Sequence, residues 1–151
     1  MNVSYINPFI SSTITCFKTM IFLDIKPQAP FIKKKPLPKY DISGVIGLSG
    51  DAQGAISLCF AQQVALKVVS NMVGAEITEP GPDLSDAIGE IANIVAGYAK
   101  RDLTSLNLSI SLPNIIIGNH VLTGQSGAPT IIVPFTSKLG EFAMEVSLKT
   151  K

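Results

Sequence analysis

The chain has 151 residues, of which 46% are hydrophobic and 15% charged, and its formal net charge is +1. This length fits a single domain over residues 1–151 with a sizeable core. The near-zero charge gives no argument for binding nucleic acid or an anionic membrane. No window holds the roughly 18 unbroken apolar residues of a membrane span. So many apolar residues beside so few charges predict a well-filled core, or an apolar surface that self-association closes.

The cysteines and the first residues indicate the compartment. Cys16 and Cys59 lie in apolar runs without CxxC spacing, so we expect two buried, reduced thiols and no metal site. A secretory signal needs basic residues before its apolar core, whereas the first lysine is Lys18. These features predict a cytoplasmic protein.

The first half of the chain alternates helical and extended patterns. Its lysine- and proline-rich segment cannot form a continuous helix. The run Lys33–Lys35 could bind an acidic partner, but we interpret it as the solvated part of a sheet edge. In chain order, the patterns predict a helix over 3–22, an extended segment over 26–40, a hairpin of strands 42–48 and 54–60 joined by a loop at 49–53, and a helix over 61–73 ended by Gly74.

The second half predicts one long helix and then strands. We expect the helix to run from Asp83 to about Leu106. Asp83 would be its N-cap, and the side chain of Asp86, at the third helical position, would reach back toward that cap. The strands are predicted over 108–117, 130–135 and 142–148, with turns at 118–120 and 125–127. A long helix followed by strands occurs twice, so we expect an α+β fold: a largely antiparallel β-sheet packed with long helices, with a faint internal pseudo-repeat.

The long helix carries a narrow line of polar residues on an otherwise apolar surface. At 100° per residue, Asp86, Glu90, Asn93 and Gly97 fall within a sector roughly 60° wide. The line could be an ordinary solvated face, but such faces usually mix both charges, and residues 83–99 contain no lysine or arginine. Gly89 and Gly97 border the line at a cost of roughly 1 kcal/mol each relative to alanine. We interpret both glycines as clearance for a binding partner.

A carboxamide beside a carboxylate suits a hydrolysis that depends on positioning. Asn93 could hold a water while Glu90 pairs with a cation, and phosphoryl transfer responds mainly to positioning and charge stabilisation. Other chemistries lack their residues: there is no Gly-x-Ser-x-Gly elbow and no phosphate-binding loop with its lysine, and the single histidine, His120, lies in a predicted turn.

The run Asp86-x-x-x-Glu90-x-x-Asn93, continuing into Ile-Val-Ala-Gly97, resembles the signature of the CheC/CheX/FliY family of chemotaxis phosphatases, and CheX most closely. The preceding hairpin and helix are also similar to those of the family. The resemblance extends over almost the whole chain. Pro113 matches the proline that ends the family pattern, at a slightly shorter spacing. CheC-like chains resemble a duplication with Glu-x-x-Asn on both long helices. The first helix here has no acidic residue, so we expect one site.

The resemblance implies a phosphatase that removes the phosphoryl group from the aspartyl phosphate of a CheY-like response regulator. Asn93 would orient the attacking water, Glu90 would pair with the regulator's lysine, and Asp86, Gly89 and Gly97 would engage the partner. Mg²⁺ would belong to the regulator, so this chain would bind no cofactor. The family also implies a homodimer. The alternative is a non-catalytic adaptor that uses the same helix to bind a regulator or a flagellar switch component.

Overall fold

The computed structural model describes residues 3–123 and 128–150, which form three α-helices and one antiparallel sheet. The helices are α1 (Val3–Cys16), α2 (Gln62–Val73) and α3 (Pro82–Asp102). The strands are β1 (Ile25–Pro27), β2 (Phe31–Ile32), β3 (Tyr40–Gly50), β4 (Ala52–Phe60), β5 (Leu108–Ile110), β6 (Asn114–His120), β7 (Thr130–Ser137) and β8 (Phe142–Thr150). The predicted α+β class is confirmed. None of the helices in this part of the chain is long and apolar enough to cross a membrane.

The sheet is built from two hairpins that meet at its centre. Strand β3 pairs with β4, β7 pairs with β8, and β4 lies beside β8. The short strands complete the edges, where β5 and β6 pair with β3 while β1 and β2 pair with β7. The chain therefore runs twice through a long helix, two short strands and a hairpin, which confirms the predicted pseudo-repeat.

The helices pack on one face of the sheet, and α3 lies directly on β3. A Cβ added at Gly44 of β3 would lie 3.1 Å from Cγ2 of Ile88 and 3.2 Å from Cβ of Ala92. These distances are tighter than ordinary van der Waals contact, so the glycine lets the helix approach the strand. Helix α1 continues as a π-helical turn over Phe17–Ile21 and packs beside α3. The helix with the polar line is therefore held by both the sheet and α1.

The opposite face of the sheet carries a buried ion pair. Nζ of Lys33 lies 2.9 Å from Oε1 of Glu145, and the two side chains are only 8% and 4% exposed. The Tyr40 hydroxyl donates a hydrogen bond to Oε2 of Glu145 at 2.7 Å. The prediction of a solvated lysine run is therefore wrong at Lys33, because its partner lies on a strand 112 residues further along the chain. Lys34 and Lys35 are exposed, as predicted.

The ends of α3 differ from the prediction. Gly81 is the N-cap, Pro82 is the first helical residue, and no side chain caps the helix. The prediction of Asp83 as the cap is therefore wrong, because proline at the first position shifts the helix start by two residues. The helix ends at Asp102, where the Leu103 amide bonds to Ala99 O and Lys100 O, rather than near Leu106.

Two predicted strand boundaries are also wrong. Residues 108–117 form two strands, β5 and β6, separated by residues 111–113. His120 lies at the end of β6 rather than in a turn, because it pairs with Tyr40 in the sheet. The hairpin of β3 and β4 is confirmed, although Asp51 alone separates the two strands where a five-residue loop was expected. The turn predicted at 125–127 lies outside the described residues.

Candidate functional site

Helix α3 directs its polar line away from the core because its other faces are apolar. Pro82 occupies the first position, where its missing N–H has no helical partner to lose. Lys100 and Arg101 lie in the last turn, where cations interact favourably with the helix dipole. The buried residues are Leu84, Ala87, Ile88, Gly89, Ile91, Ala92, Val95, Ala96 and Ala99. Their packing fixes the rotation of the helix about its axis.

The three polar residues of the line lie together and are all exposed, as predicted. Asp86, Glu90 and Asn93 are spaced by about one helical turn, so neighbouring side chains in the line can act on the same molecule. Over residues 3–123 and 128–150, none of the three has a side-chain hydrogen bond or an ion-pair partner. Their donors and acceptors are therefore available to a second molecule.

The two glycines beside the line differ. A Cβ at Gly97 would meet nothing within 4 Å, so the space above this position is open to a partner, and its predicted role stays a prediction. Gly89 is buried, and a Cβ there would lie 3.3 Å from Cγ of Pro113 and 3.4 Å from Cδ1 of Ile115. The clearance at Gly89 is thus used by this chain, which differs from the prediction that it leaves room for a partner.

One side of the line borders a depression of about 380 Å³. Its polar wall is formed by Asp83, Asp86 and Glu90, and its apolar wall by Met72, Val73, Ala75 and Ile77. Ser70 fixes the apolar wall, since its Oγ accepts a hydrogen bond from the Ile77 amide at 2.8 Å and donates one to Leu66 O at 2.7 Å. The depression combines negative charge with apolar surface, which suits a protein surface that carries a cation.

The other side of the line borders the connection between β5 and β6. Residues 111–113 lie between the pairs Leu48↔Ile110 and Val45↔Asn114, so three residues stand opposite two on β3. The extra residue was not predicted, because the apolar pattern over 108–117 is typical of a single strand. The signal available in the sequence was Pro113, whose missing N–H cannot pair in a strand interior.

A buried thiol lies near the polar line, and the charge of the line contributes to its pKa. Cys16, at the end of α1, is completely buried. Burial raises the pKa of this thiol to about 12, and the negative charge of Glu90 contributes in the same direction. Cys16 is therefore a neutral core residue next to the carboxylate, rather than a nucleophile.

The line supplies polar and charged groups without a nucleophile. The carboxamide of Asn93 can donate and accept hydrogen bonds, whereas the ionised Glu90 only accepts. Nε2 of His120 does contact Ser43 Oγ at 2.8 Å, but Ser43 is fully buried on the opposite face of the sheet. In the described part of the chain, no group of three or more His, Cys, Asp or Glu residues could hold a metal ion. The arrangement suits the orientation of a water and the binding of a cation that another molecule supplies.

Comparisons with known proteins show which family the chain resembles. The family model "Chemotaxis phosphatase CheX" matches residues 42–136. The CheY-P phosphatase CheX of Thermotoga maritima is 27% identical over 124 residues, which cover 80% of this chain and 80% of that protein. The crystal structure of CheX from Vibrio vulnificus is 33% identical, covers 97% of this chain and 100% of that chain, and superposes with a TM-score of 0.92.

A more distant structure shares the fold. The CheX–CheY–BeF3–Mg²⁺ complex from Borrelia burgdorferi matches with a TM-score of 0.85 at 22% identity, over 98% of this chain and 99% of that chain. The matched family model covers well over half of the present sequence. The chain therefore belongs to the chemotaxis phosphatase CheX family.

Proposed function

We propose that the protein hydrolyses the aspartyl phosphate of a CheY-like response regulator, in chemotaxis or another two-component pathway. The observation that carries the proposal is the Glu90–Asn93 pair, which is exposed and without partners in residues 3–123 and 128–150. Family membership supports a phosphatase, and the Thermotoga relative is named a CheY-P phosphatase. The Borrelia relative, which shares the fold, is named as a complex of CheX with CheY, and this supports a CheY-like partner.

In the proposed reaction, water attacks the phosphorus and the bond between phosphorus and the aspartyl oxygen breaks. The products are inorganic phosphate and the free carboxylate of the regulator. The Asn93 carboxamide orients the water by hydrogen bonds, which lowers the barrier through positioning and needs no strong base. This role fits a side chain that is exposed and not engaged within its own chain.

The two carboxylates contribute to docking in this proposal. Glu90 pairs with a lysine of the regulator, and Asp86, one turn earlier, extends the negative surface along the helix. The absence of lysine and arginine from residues 83–99 supports a cationic partner, because the line carries no compensating charge of its own. Mg²⁺ would be held by the acidic pocket of the regulator, where it neutralises the developing charge on the phosphoryl oxygens.

A phosphate-release assay tests the proposal. CheY from the same organism is phosphorylated with a small phosphodonor, and the release of inorganic phosphate is followed with and without the protein. We expect at least a tenfold faster release at saturating concentrations of the protein. If the protein binds phosphorylated CheY and leaves the rate of release unchanged, it is a non-catalytic adaptor and the proposal is wrong.

We also propose that the protein is a homodimer, as the family resemblance implies. The apolar content supports this, and so do the half-exposed side chains of Phe31 and Ile32 on the edge strand β2. Such an apolar edge is normally covered in a soluble protein. Sedimentation at micromolar concentration tests the proposal, and a monomer there contradicts it.

A further inference from the structure

Leu112 is the most exposed large apolar side chain in the described part of the chain, at 86%. It lies in the connection between β5 and β6 and directly precedes Pro113, which contacts α3 at Gly89. Gly89 in turn directly precedes Glu90. The leucine is therefore fixed to the border of the polar line rather than to a distant surface.

The connection holds Leu112 outward by contacts on both sides. Before it, the backbone of Ser111 is bonded to β3, since its amide donates a hydrogen bond to Gly47 O at 2.9 Å. The Ser111 hydroxyl accepts from the Gly47 amide and donates to Leu112 O, both at 2.8 Å. After it, Pro113 packs against α3. Leu112 thus projects from a short segment with two anchors, although its own side chain is almost fully exposed.

The extra residue in this connection has the geometry of a β-bulge. Three residues, 111–113, stand opposite two residues of β3. Bulges redirect side chains and are frequent beside active sites. A regular continuation of β5 into β6 would not need the extra residue. The bulge accounts for an apolar side chain that points into solvent instead of along the sheet.

We propose that Leu112 is a docking contact for the phosphorylated response regulator and inserts into an apolar surface next to the regulator's phosphorylation site. This inference rests on the proposed function. The partner is favoured over other occupants because Leu112 is continuous with the acidic line through Pro113, Gly89 and Glu90. Half-exposed Val73 borders the same line from the other side. A pre-positioned apolar anchor loses little freedom on binding, so it adds affinity efficiently.

The test uses CheY from the same organism, trapped with BeF₃⁻ and Mg²⁺, and titrated against wild type and Leu112→Ala by calorimetry. We expect Kd to rise about tenfold for Leu112→Ala and further for Leu112→Asp. In the phosphate-release assay, KM rises while kcat at saturating CheY is unchanged, because Leu112 does not touch the reacting atoms. Leu37→Ala is the matched control, since Leu37 is 52% exposed in the segment before β3, away from the acidic line.

The outcomes separate this inference from the proposed function. If both Leu112 variants bind within twofold of wild type while wild type releases phosphate, the inference is wrong and the function stands. If wild type neither binds trapped CheY nor accelerates phosphate release, the proposed function fails and the inference fails with it. Thermal unfolding of each variant confirms that an altered Kd does not come from a loss of folded protein.

Discussion

Two carboxylates on the two faces of this protein have opposite environments. Glu145, on the outer face of the sheet, is 4% exposed and bonded to both Lys33 and Tyr40. Glu90, on α3, is exposed, and its side chain has no hydrogen bond or ion pair within the residues that the structure describes. The carboxylate of Glu145 is bonded within its own chain, so its role is structural. The carboxylate of Glu90 is not, so it is free to bind another molecule.

The largest loss of stability is expected for Lys33→Ala, which removes the charge partner of Glu145. A buried carboxylate without its cation is costly, so we expect the free energy of unfolding to fall by about 3 kcal/mol. Denaturant unfolding measures the change. Lys34→Ala is the control, because Lys34 is exposed and its removal is expected to change stability by less than about 0.5 kcal/mol. Equal stability of the two variants would contradict the structural role of the pair.

Alkaline pH is expected to weaken the fold through its buried acids. The thiol of Cys16 has its pKa raised to about 12 by burial and by Glu90, whereas in the unfolded chain it ionises near 9. The unfolded state thus loses its proton first, so stability is constant below pH 9 and falls between pH 9 and 12. At pH 10.5 the loss from Cys16 alone is about 2 kcal/mol.

Tyr40 and Cys59 act in the same direction, because burial also raises the pKa of each. Urea unfolding at pH 8 and pH 10.5 measures the combined effect. In Cys16→Ala the fall between these two pH values should be smaller than in wild type. A free energy of unfolding that stays flat up to pH 11 would show that these groups are not buried as described.

Removal of the exposed carboxylate of Glu90 should weaken binding of the regulator and leave stability almost unchanged. We expect Glu90→Ala to leave the free energy of unfolding within about 0.5 kcal/mol of wild type. Its Kd for phosphorylated CheY should rise about tenfold, because the regulator's cation loses its partner. Glu141→Ala is the matched control, since Glu141 is exposed in the turn before β8. An unchanged Kd for Glu90→Ala would remove the proposed ion pair.

The smallest changes in stability are expected from substitution of the two glycines of α3. Gly97→Ala should stabilise the protein by about 0.5–1 kcal/mol, because alanine favours a helix and the new methyl group meets open space. Gly89→Ala should not give this gain, because its Cβ would press against Pro113 at 3.3 Å. If Gly97→Ala also weakens CheY binding, the open space is part of the docking surface. If thermal unfolding shows equal gains for both variants, the contact at Pro113 is not restrictive.

The sequence predicted the polar line because helical spacing alone brings Asp86, Glu90 and Asn93 together. It also predicted the hairpin of β3 and β4, strands close to β7 and β8, and the pseudo-repeat, since apolar alternation and glycine-containing turns are local signals. It could not predict the pairing of Lys33 with Glu145, which depends on how distant strands meet. It missed the bulge at Leu112 for a similar reason, because strand register against β3 is a tertiary property.

The two errors within the site have different causes, a competing local signal at Asp83 and a tertiary contact at Gly89. Asp83 is a good capping residue, but Pro82 before it fixes the helix start at Gly81. Gly89 borders the polar line in projection, yet the contact that uses its clearance comes from Pro113, far along the chain. A helical projection shows which residues share a face. It does not show what covers that face.

We propose that Asn93 acts in the chemical step while the rest of the line provides docking. The most direct test is single-turnover dephosphorylation of CheY by Asn93→Ala, with Asn119→Ala, an exposed asparagine on β6, as the control. We expect the rate with Asn93→Ala to fall about 100-fold while its Kd for BeF₃⁻-trapped CheY stays within twofold of wild type. An undiminished rate, or a fall explained entirely by weaker binding, would contradict this assignment.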